Sequence, residues 1–446
     1  MRNILVIGAG RSSTILIEYL LDAAKKYGWF VTVADAKPEL AAKKVNGHPN
    51  GRGTWLDVLK PNDRKDLMAR NDLVVSLLPP HLHYRIAKDC IKYKKQLVTA
   101  SYVSRDLYRL EEQVMDASLI FMGEMGYDPG VDNMSLVKYI HQIKDKKGKL
   151  TSVRSYSGDL IAPEYDDNPW HYKITWNPRN LVINGQGTSQ YVVKNKYKNI
   201  PYNRLFKQYR LVDIPDIGQF ESYASRDSLM YRKAYGLDKV PTLKRAILRQ
   251  PGFCDAWDAL VQLGLTDDSY PILESKKLTY RELTDSYLVD NPYNTGTIKE
   301  RLAAFLGIGA SSEIIKKLEW LGLFDRRMIN LEKATPAKIL EDLLVKKWTP
   351  SPEDKDWLIM HHVYKYKIKN KLFRLKSTMT LQGENAERTA ISKVIGLPIG
   401  IFVKMIMNGQ IKKRGFEVAI QPEVYNPVLD ELKDHGIVFT EEEEAI

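Results

Sequence analysis

The sequence predicts an α/β protein in which a Rossmann-type, doubly wound parallel sheet is followed by a mixed α/β domain carrying an inserted helical subdomain. Three observations predict it. A continuous apolar run, Ile4 to Ile7, ends in a glycine loop at Gly8. Strand-like and helix-like segments then alternate through residue 127. After Pro129 that alternation gives way to β-rich segments and then to a long helical stretch.

Residues 4–8 carry no polar alternation, so the first strand is expected to be buried on both faces, as in a parallel sheet. Ile15, Leu16, Tyr19 and Leu20 recur at helical spacing, and Gly28 stops that helix before a second strand, Phe30 to Ala34. Further strands are expected at 73–78, 96–100 and 118–122, with helices over 82–93 and 105–116 between them. These elements make residues 1–127 the nucleotide-binding domain. Residues 128–253 and 348–383 are assigned to a mixed sheet for substrate binding and dimerisation, with strands at 152–157, 181–184 and 220–223. Residues 254–347 read as the helical insertion, with caps at Thr284 and Ser311-Ser312 and stops at Gly264 and Gly322. A hairpin follows, 357–366 against 371–381 across a Lys-Asn turn. Helices over 384–408 and 427–436 are expected to pack back on the first domain, and Glu441 to Glu444 to form a solvated tail.

Composition narrows the class. The chain has 446 residues, 44% apolar and 27% charged, and its two cysteines, Cys90 and Cys254, are too few and too far apart for a disulfide framework. With a first strand entered directly from the N-terminus, this predicts a cytoplasmic protein. Ile395 to Met407 is the longest apolar candidate for a membrane span and is interrupted by Pro398 and Lys404, so no membrane partner is expected. The net charge of +12 is spread over pairs such as Lys25-Lys26 and Lys43-Lys44, which argues for an anionic small molecule and cofactor and against nucleic acid. His81, His83, His361 and His362 lack a third ligand at suitable spacing, so no metal is expected.

The cofactor loop is Gly8-Ala9-Gly10-Arg11-Ser12-Ser13. Gly8 permits the tight turn, Gly10 lets the backbone approach a pyrophosphate, and the helix start offers N–H groups to phosphate. Ser13 replaces the usual third glycine and leaves a hydroxyl available to phosphate. Asp35, at the end of the second strand, is placed to accept hydrogen bonds from an adenosine ribose; its carboxylate favours NAD over NADP. Lys37 and Arg11 could nonetheless cradle a 2′-phosphate, so NADP stays open. Asp57-Val58 ends a short apolar segment, either beside adenine or as an ordinary strand end.

Other strand ends carry Leu78-Pro79-Pro80-His81, Thr99-Ala100-Ser101-Tyr102-Val103-Ser104 and Gly126-Tyr127-Asp128-Pro129-Gly130-Val131-Asp132. Together with Ser225-Arg226-Asp227-Ser228, Leu248-Arg249 and Ile395-Gly-Leu-Pro398-Ile-Gly400, these resemble saccharopine dehydrogenases of the L-glutamate-forming kind along nearly the whole chain. The resemblance implies a homodimeric NAD(P)-dependent enzyme of lysine metabolism that interconverts saccharopine with L-glutamate and 2-aminoadipate 6-semialdehyde. It implies that Ser101, Tyr102, Asp128, Arg226 and Arg249 meet the substrate, and that Leu78, Ala100, Ser101, Tyr127, Asp128 and Pro129 flank the cofactor. Fungal members end the second strand with a basic residue suited to NADP, whereas this chain has Asp35.

The chemistry agrees. A substrate with several carboxylates calls for guanidinium groups, Arg226 and Arg249. Hydride loss needs a neutral amine, and imine hydrolysis needs a proton moved to and from water, which makes Asp128 and Tyr102 the acid/base candidates, with Lys173 and His171 as reserves. Two alternatives remain at this point: carboxynorspermidine, homospermidine or lysine 6-dehydrogenase chemistry in the same superfamily, and a non-catalytic nucleotide sensor.

Overall fold

The computed structural model describes residues 2–183, 186–289 and 296–446. By its internal contacts the chain divides into two units, one of residues 1–149, 367–371 and 377–442, the other of 150–366, 372–376 and 443–446. The first unit thus runs past the predicted boundary at 127. The helix Val131–Asp145 packs on the helix Pro422–Asp434, both within it. The helical stretch after residue 253 falls in the second unit together with its sheet and is not a unit of its own.

The first sheet is built from β1 (Arg2–Ile7), β2 (Trp29–Asp35), β3 (Gly51–Trp55), β4 (Leu73–Ser76), β5 (Gln96–Thr99) and β6 (Ile120–Gly123). The chain then makes β7 (Lys149–Ile161), β8 (Ser189–Val193), β9 (Lys196–Ile200), β10 (Arg210–Ile214), β11 (Gly218–Ala224), β12 (Leu243–Arg249), β13 (Asp356–Ile368), β14 (Lys371–Gln382), β15 (Gly415–Val418) and β16 (Thr440–Ala445). In the first sheet the order is β15-β6-β5-β4-β1-β2-β3, with every pair parallel. The central strands β1, β2, β4, β5 and β6 are buried on both faces, as their largely apolar runs require, whereas the edge strand β3 is mostly exposed. The order reverses at β1, whose neighbours are β2 and β4, and that switch point is where the glycine loop emerges.

β15 was not foreseen. Only four residues long and nearly 300 residues after β6, it pairs in register from Gly415 opposite Ile120 to Val418 opposite Gly123. The apolar segment near the C-terminus is one uninterrupted helix, Ala390–Met407, in spite of Pro398. By length and composition it could cross a membrane, yet most of it is buried against its own unit. It lies close against the helix Thr14–Tyr27: a Cβ on Gly396 would stand 2.6 Å from the Leu16 nitrogen, and one on Gly400 would stand 2.5 Å from the Tyr19 ring. Glycine here is a packing requirement between two helices.

The second sheet has the order β10-β11-β12-β7-β13-β14-β16, with β8 beside β12 and β9 beside β8. It mixes parallel and antiparallel pairs. β13 and β14 form the expected hairpin, turning at Lys369-Asn370 with Lys369 at φ 52°. The acidic end is a strand, not a tail. Glu443 accepts from the Tyr366 hydroxyl, Glu444 pairs with Arg374, and the Ile446 nitrogen donates to the Leu372 carbonyl. Backbone pairing along an open sheet edge and these partners outweigh the mutual repulsion of the four carboxylates. Residues 181–183, expected as strand, close the helix Pro178–Ile183; Leu181 and Val182 enter the core formed by the 253–348 helices, and Asn184 lies outside the described residues. Thr284 is interior to the helix Tyr280–Ser286. The cap is Thr279, in a capping box with Glu282, so the helix starts one turn earlier than expected. Ser312 caps its helix and Gly322 ends it at φ 104°, as expected.

Candidate active site

The glycine loop fits a dinucleotide. Gly8 has φ 109°, and a Cβ there would press on Leu77 at 3.3 Å, whereas a Cβ on Gly10 would meet nothing within 4 Å. The loop is therefore tight on its inner side and open on its outer side, where a pyrophosphate needs the backbone bare. Arg11 and Ser12 begin a 3-10 turn that runs into the helix Thr14–Tyr27, and neither start carries a side-chain cap. Ser13 corrects the expectation. It is buried and its hydroxyl donates to the Gly10 carbonyl at 2.8 Å, so it braces the loop from within instead of facing a phosphate.

Asp35 is fixed by two backbone groups, accepting from the Ala9 N–H at 2.7 Å and the Lys37 N–H at 2.9 Å. The carboxylate is thereby held against the glycine loop. Asp57 accepts from the Leu59 N–H at 3.0 Å and pairs with Lys60 at 3.6 Å, so it shapes the turn after β3. Val58 and Leu78 are partly buried against one apolar cluster beneath the sheet.

At the ends of β5 and β6 two loops clasp each other. Glu124 donates its N–H to the Ser101 carbonyl, Met125 donates to Thr99, and the Glu124 side chain accepts from the Val103 N–H at 3.3 Å. The 126–132 loop folds back on itself through Gly126 N–H to Pro129 O and Val131 N–H to Gly126 O. A Cβ on Gly126 would meet the Ala100 carbonyl at 3.1 Å, so glycine is what lets this loop lie on Ala100. Tyr127 is buried, with its carbonyl accepting from Asp132, and the Asp128-Pro129 bond is cis. The result brings together the two leading candidates, for the Tyr102 hydroxyl donates to Asp128 Oδ1 at 2.8 Å. Ser101, beside them, is held by His83 Nε2 at 2.9 Å.

Within the second unit, Arg249 is buried and its Nη1 donates to Asp159 Oδ1 at 2.7 Å, while its guanidinium lies over the Tyr172 and Phe253 rings. The other Asp159 oxygen accepts from Tyr172 and Trp176, each at 2.6 Å. Burial opposes the charge of Arg249, but Asp159 and the neighbouring phenols outweigh it and raise the pKa. Expected to face a substrate carboxylate, Arg249 instead has an internal carboxylate on Nη1. Arg226 has a left-handed backbone, φ 38°, held by the Gln190 N–H on its carbonyl and by Asp227 capping the next turn. Lys173 is buried between Asp167 at 2.8 Å and Asp354 at 2.7 Å. Burial alone would lower its pKa; the two carboxylates raise it, which makes it an ion-pair clamp and a poor proton carrier. His171 pairs with Asp166 at 2.6 Å.

Sequence reasoning missed His83, Glu124, Asp159 and Asp354. Each acts on a residue far along the chain, and no local spacing marks it. Among the described residues there is no cluster of three or more potential metal ligands.

Comparison with known proteins bears on all of these features together. Residues 4–121 match the family model of the saccharopine dehydrogenase NADP binding domain, and residues 126–437 that of the saccharopine dehydrogenase C-terminal domain. The chain is 32% identical over 98% of its length to the mitochondrial alpha-aminoadipic semialdehyde synthase of Bos taurus, and spans about half (47%) of that protein. It is 29% identical to the NADP(+), L-glutamate-forming saccharopine dehydrogenase of Saccharomyces cerevisiae, covering 99% of both chains. A solved apo structure of the L-glutamate-forming enzyme from that yeast matches with a TM-score of 0.87 over 100% of both chains, at 28% identity. A homospermidine synthase from Legionella pneumophila shares the fold at a TM-score of 0.56 and 9% identity. The two models between them account for both the nucleotide loop and the Tyr102-Asp128 pair, and so the chain belongs to the saccharopine dehydrogenase family.

Proposed function

We propose that this chain is an NAD(P)-dependent oxidoreductase that interconverts saccharopine with L-glutamate and 2-aminoadipate 6-semialdehyde. The observation that carries the reading is the Tyr102-Asp128 hydrogen bond at the carboxyl ends of the parallel strands, in a chain that matches an L-glutamate-forming enzyme from end to end. The Gly8–Gly10 loop and Asp35 would hold a nicotinamide nucleotide, which would supply the hydride acceptor for the carbon beside the secondary amine. Asp128 accepts the proton that leaves the amine or the hydrolytic water, and Tyr102 orients that carboxylate. Glu124 and Gly126 keep the two loops in contact so that the pair is preorganised. Arg226 is assigned to a substrate carboxylate, and Arg249 to a supporting role through Asp159.

The finer choices belong to the same reading. Asp35, pinned to the loop by two N–H groups, disfavours a 2′-phosphate and supports NAD, although the fungal relatives carry NADP(+) in their names. A cytoplasmic location fits the two buried free thiols, and the homodimer rests on the family resemblance alone.

The test is a nicotinamide absorbance assay with saccharopine, lysine and carboxynorspermidine, each run with NAD and with NADP, beside gel filtration. Turnover with saccharopine alone is expected, faster with NAD. Oxidation of another amine would move the chain to a sister activity, and nucleotide binding without any turnover would make it a sensor.

A further inference from the structure

His83 opens the helix His83–Tyr93 and is wholly buried. Its ring joins three hydroxyls at the ends of two adjacent strands. Nδ1 lies 2.9 Å from Ser76 Oγ, and Nε2 lies 2.9 Å from Ser101 Oγ and 3.2 Å from Thr99 Oγ1. Ser76 and Thr99 are register partners of β4 and β5 and are also buried. Ser101 stands two residues beyond Thr99, half-buried, next to the Tyr102-Asp128 pair.

Of the two tautomers open to the ring, the one protonated at Nδ1 gives the buried Thr99 proton an acceptor. Burial above all, and His81 in addition, lower the imidazole pKa to about 4, so the ring is neutral near pH 7 and has one N–H and one lone pair. Thr99 Oγ1 accepts the Ser101 N–H at 3.3 Å, and His83 Nε2 is the ring atom within reach of its own proton. Nε2 is then an acceptor, and Nδ1–H donates to Ser76. With Nε2 accepting, its single lone pair is shared between the two hydroxyls, and Ser101, the nearer at 2.9 Å against 3.2 Å for Thr99, gives its proton to the ring and turns its oxygen lone pairs outward.

We propose that His83 is a positioning residue that fixes Ser101 as a hydrogen-bond acceptor for an N–H group of a bound ligand. The inference rests on the saccharopine dehydrogenase reading, which supplies two such groups: the carboxamide NH₂ of the nicotinamide and an ammonium group of the amino-acid substrate. A serine held only by packing would rotate and offer either a donor or an acceptor. His83 removes that freedom before the ligand arrives.

The test is a double-mutant cycle read by equilibrium binding, with nucleotide and saccharopine titrated separately. His83→Asn keeps a polar atom toward Ser76 and loses Ser101. It is expected to weaken, by about tenfold, whichever of the two ligands the serine meets. The same substitution made on Ser101→Ala should cost nothing further. Ser76→Ala, which removes the acceptor that holds the tautomer, should give a smaller loss that also vanishes with Ser101→Ala, and it serves if His83→Asn does not fold. Loss of affinity that persists without the Ser101 hydroxyl would make His83 merely structural, and unchanged affinity for both ligands would also overturn the proposal. A third readout needs no ligand. Nitrogen NMR of the histidine-labelled chain should show His83 protonated at Nδ1; protonation at Nε2 would refute the arrangement even if saccharopine itself proved not to bind.

Discussion

Tyr102 and Asp128, on loops that follow different strands, share a 2.8 Å hydrogen bond from phenol to carboxylate. Neither loop alone would hold its residue in place. The contact exists because Glu124 ties down residues 101–103 while Gly126 lets the second loop lie on Ala100.

If that pair moves the proton, Asp128→Asn should lower kcat by 10²–10⁴-fold, the usual worth of a general acid/base, with little change in nucleotide affinity. Tyr102→Phe should cost roughly tenfold, and adding it to Asp128→Asn should cost almost nothing more, since a residue that orients a carboxylate has no role once the carboxylate is gone. Steady-state rates of the three variants check this; additive losses would separate the two roles.

Asp35→Ser should shift the ratio of NADPH to NADH affinity toward NADPH by about tenfold, because it removes a negative charge from the 2′-phosphate's side of the ribose. The same change frees the Ala9 and Lys37 N–H groups, so affinity for NADH should fall as well. Fluorescence titration with the two reduced nucleotides measures both effects.

Gly396→Val places a side chain where a Cβ already meets the Leu16 backbone at 2.6 Å. The helices must separate, at a cost of about 1–3 kcal/mol. Chemical denaturation should show the loss, while Gly409→Ala, where a Cβ meets nothing within 4 Å but φ is 74°, should cost less.

Stability should decline on mild acidification for a reason internal to the fold. Burial lowers the pKa of His83 to about 4 and that of His362 to about 3, so both stay neutral in the native chain while the unfolded chain takes up their protons near 6.5. The unfolded state therefore binds more protons between roughly pH 6.5 and 4, and stability falls as pH falls through that window. Urea midpoints taken from pH 7.5 to 5 should drop, and His83→Gln should flatten the slope. An equal slope in the variant would assign the decline to other groups.

The central strands of the parallel half are legible because strands buried on both faces must be apolar throughout, as Ile4 to Ile7 and Leu73 to Val75 are, whereas the edge strands β3 and β15 carry no such run. Glycine and carboxylate positions around the nucleotide loop were legible for the same local reason. What stayed hidden depends on partners distant in sequence. Glu441 to Glu444 repel one another as an isolated run, and only the open edge of β14 makes them a strand. Arg249 looked available to a substrate until Asp159, ninety residues earlier, was found on its Nη1. His83 looked like half of an idle histidine pair because Ser76, Thr99 and Ser101 converge on it only through strand register.

β15 and the helix Ala390–Met407 have a consequence for how the protein is made. A ribosome releases residues 1–149 long before residues 390–418, so for most of synthesis the nascent first unit presents β6 as an open edge and the 14–27 helix without its glycine-lined partner. Its final closure waits for residues 390–418. A chain cut after residue 149 should accordingly be a poor stand-alone nucleotide binder that gathers at the bare β6 edge, and supplying residues 384–446 in trans should restore its solubility before it restores any chemistry.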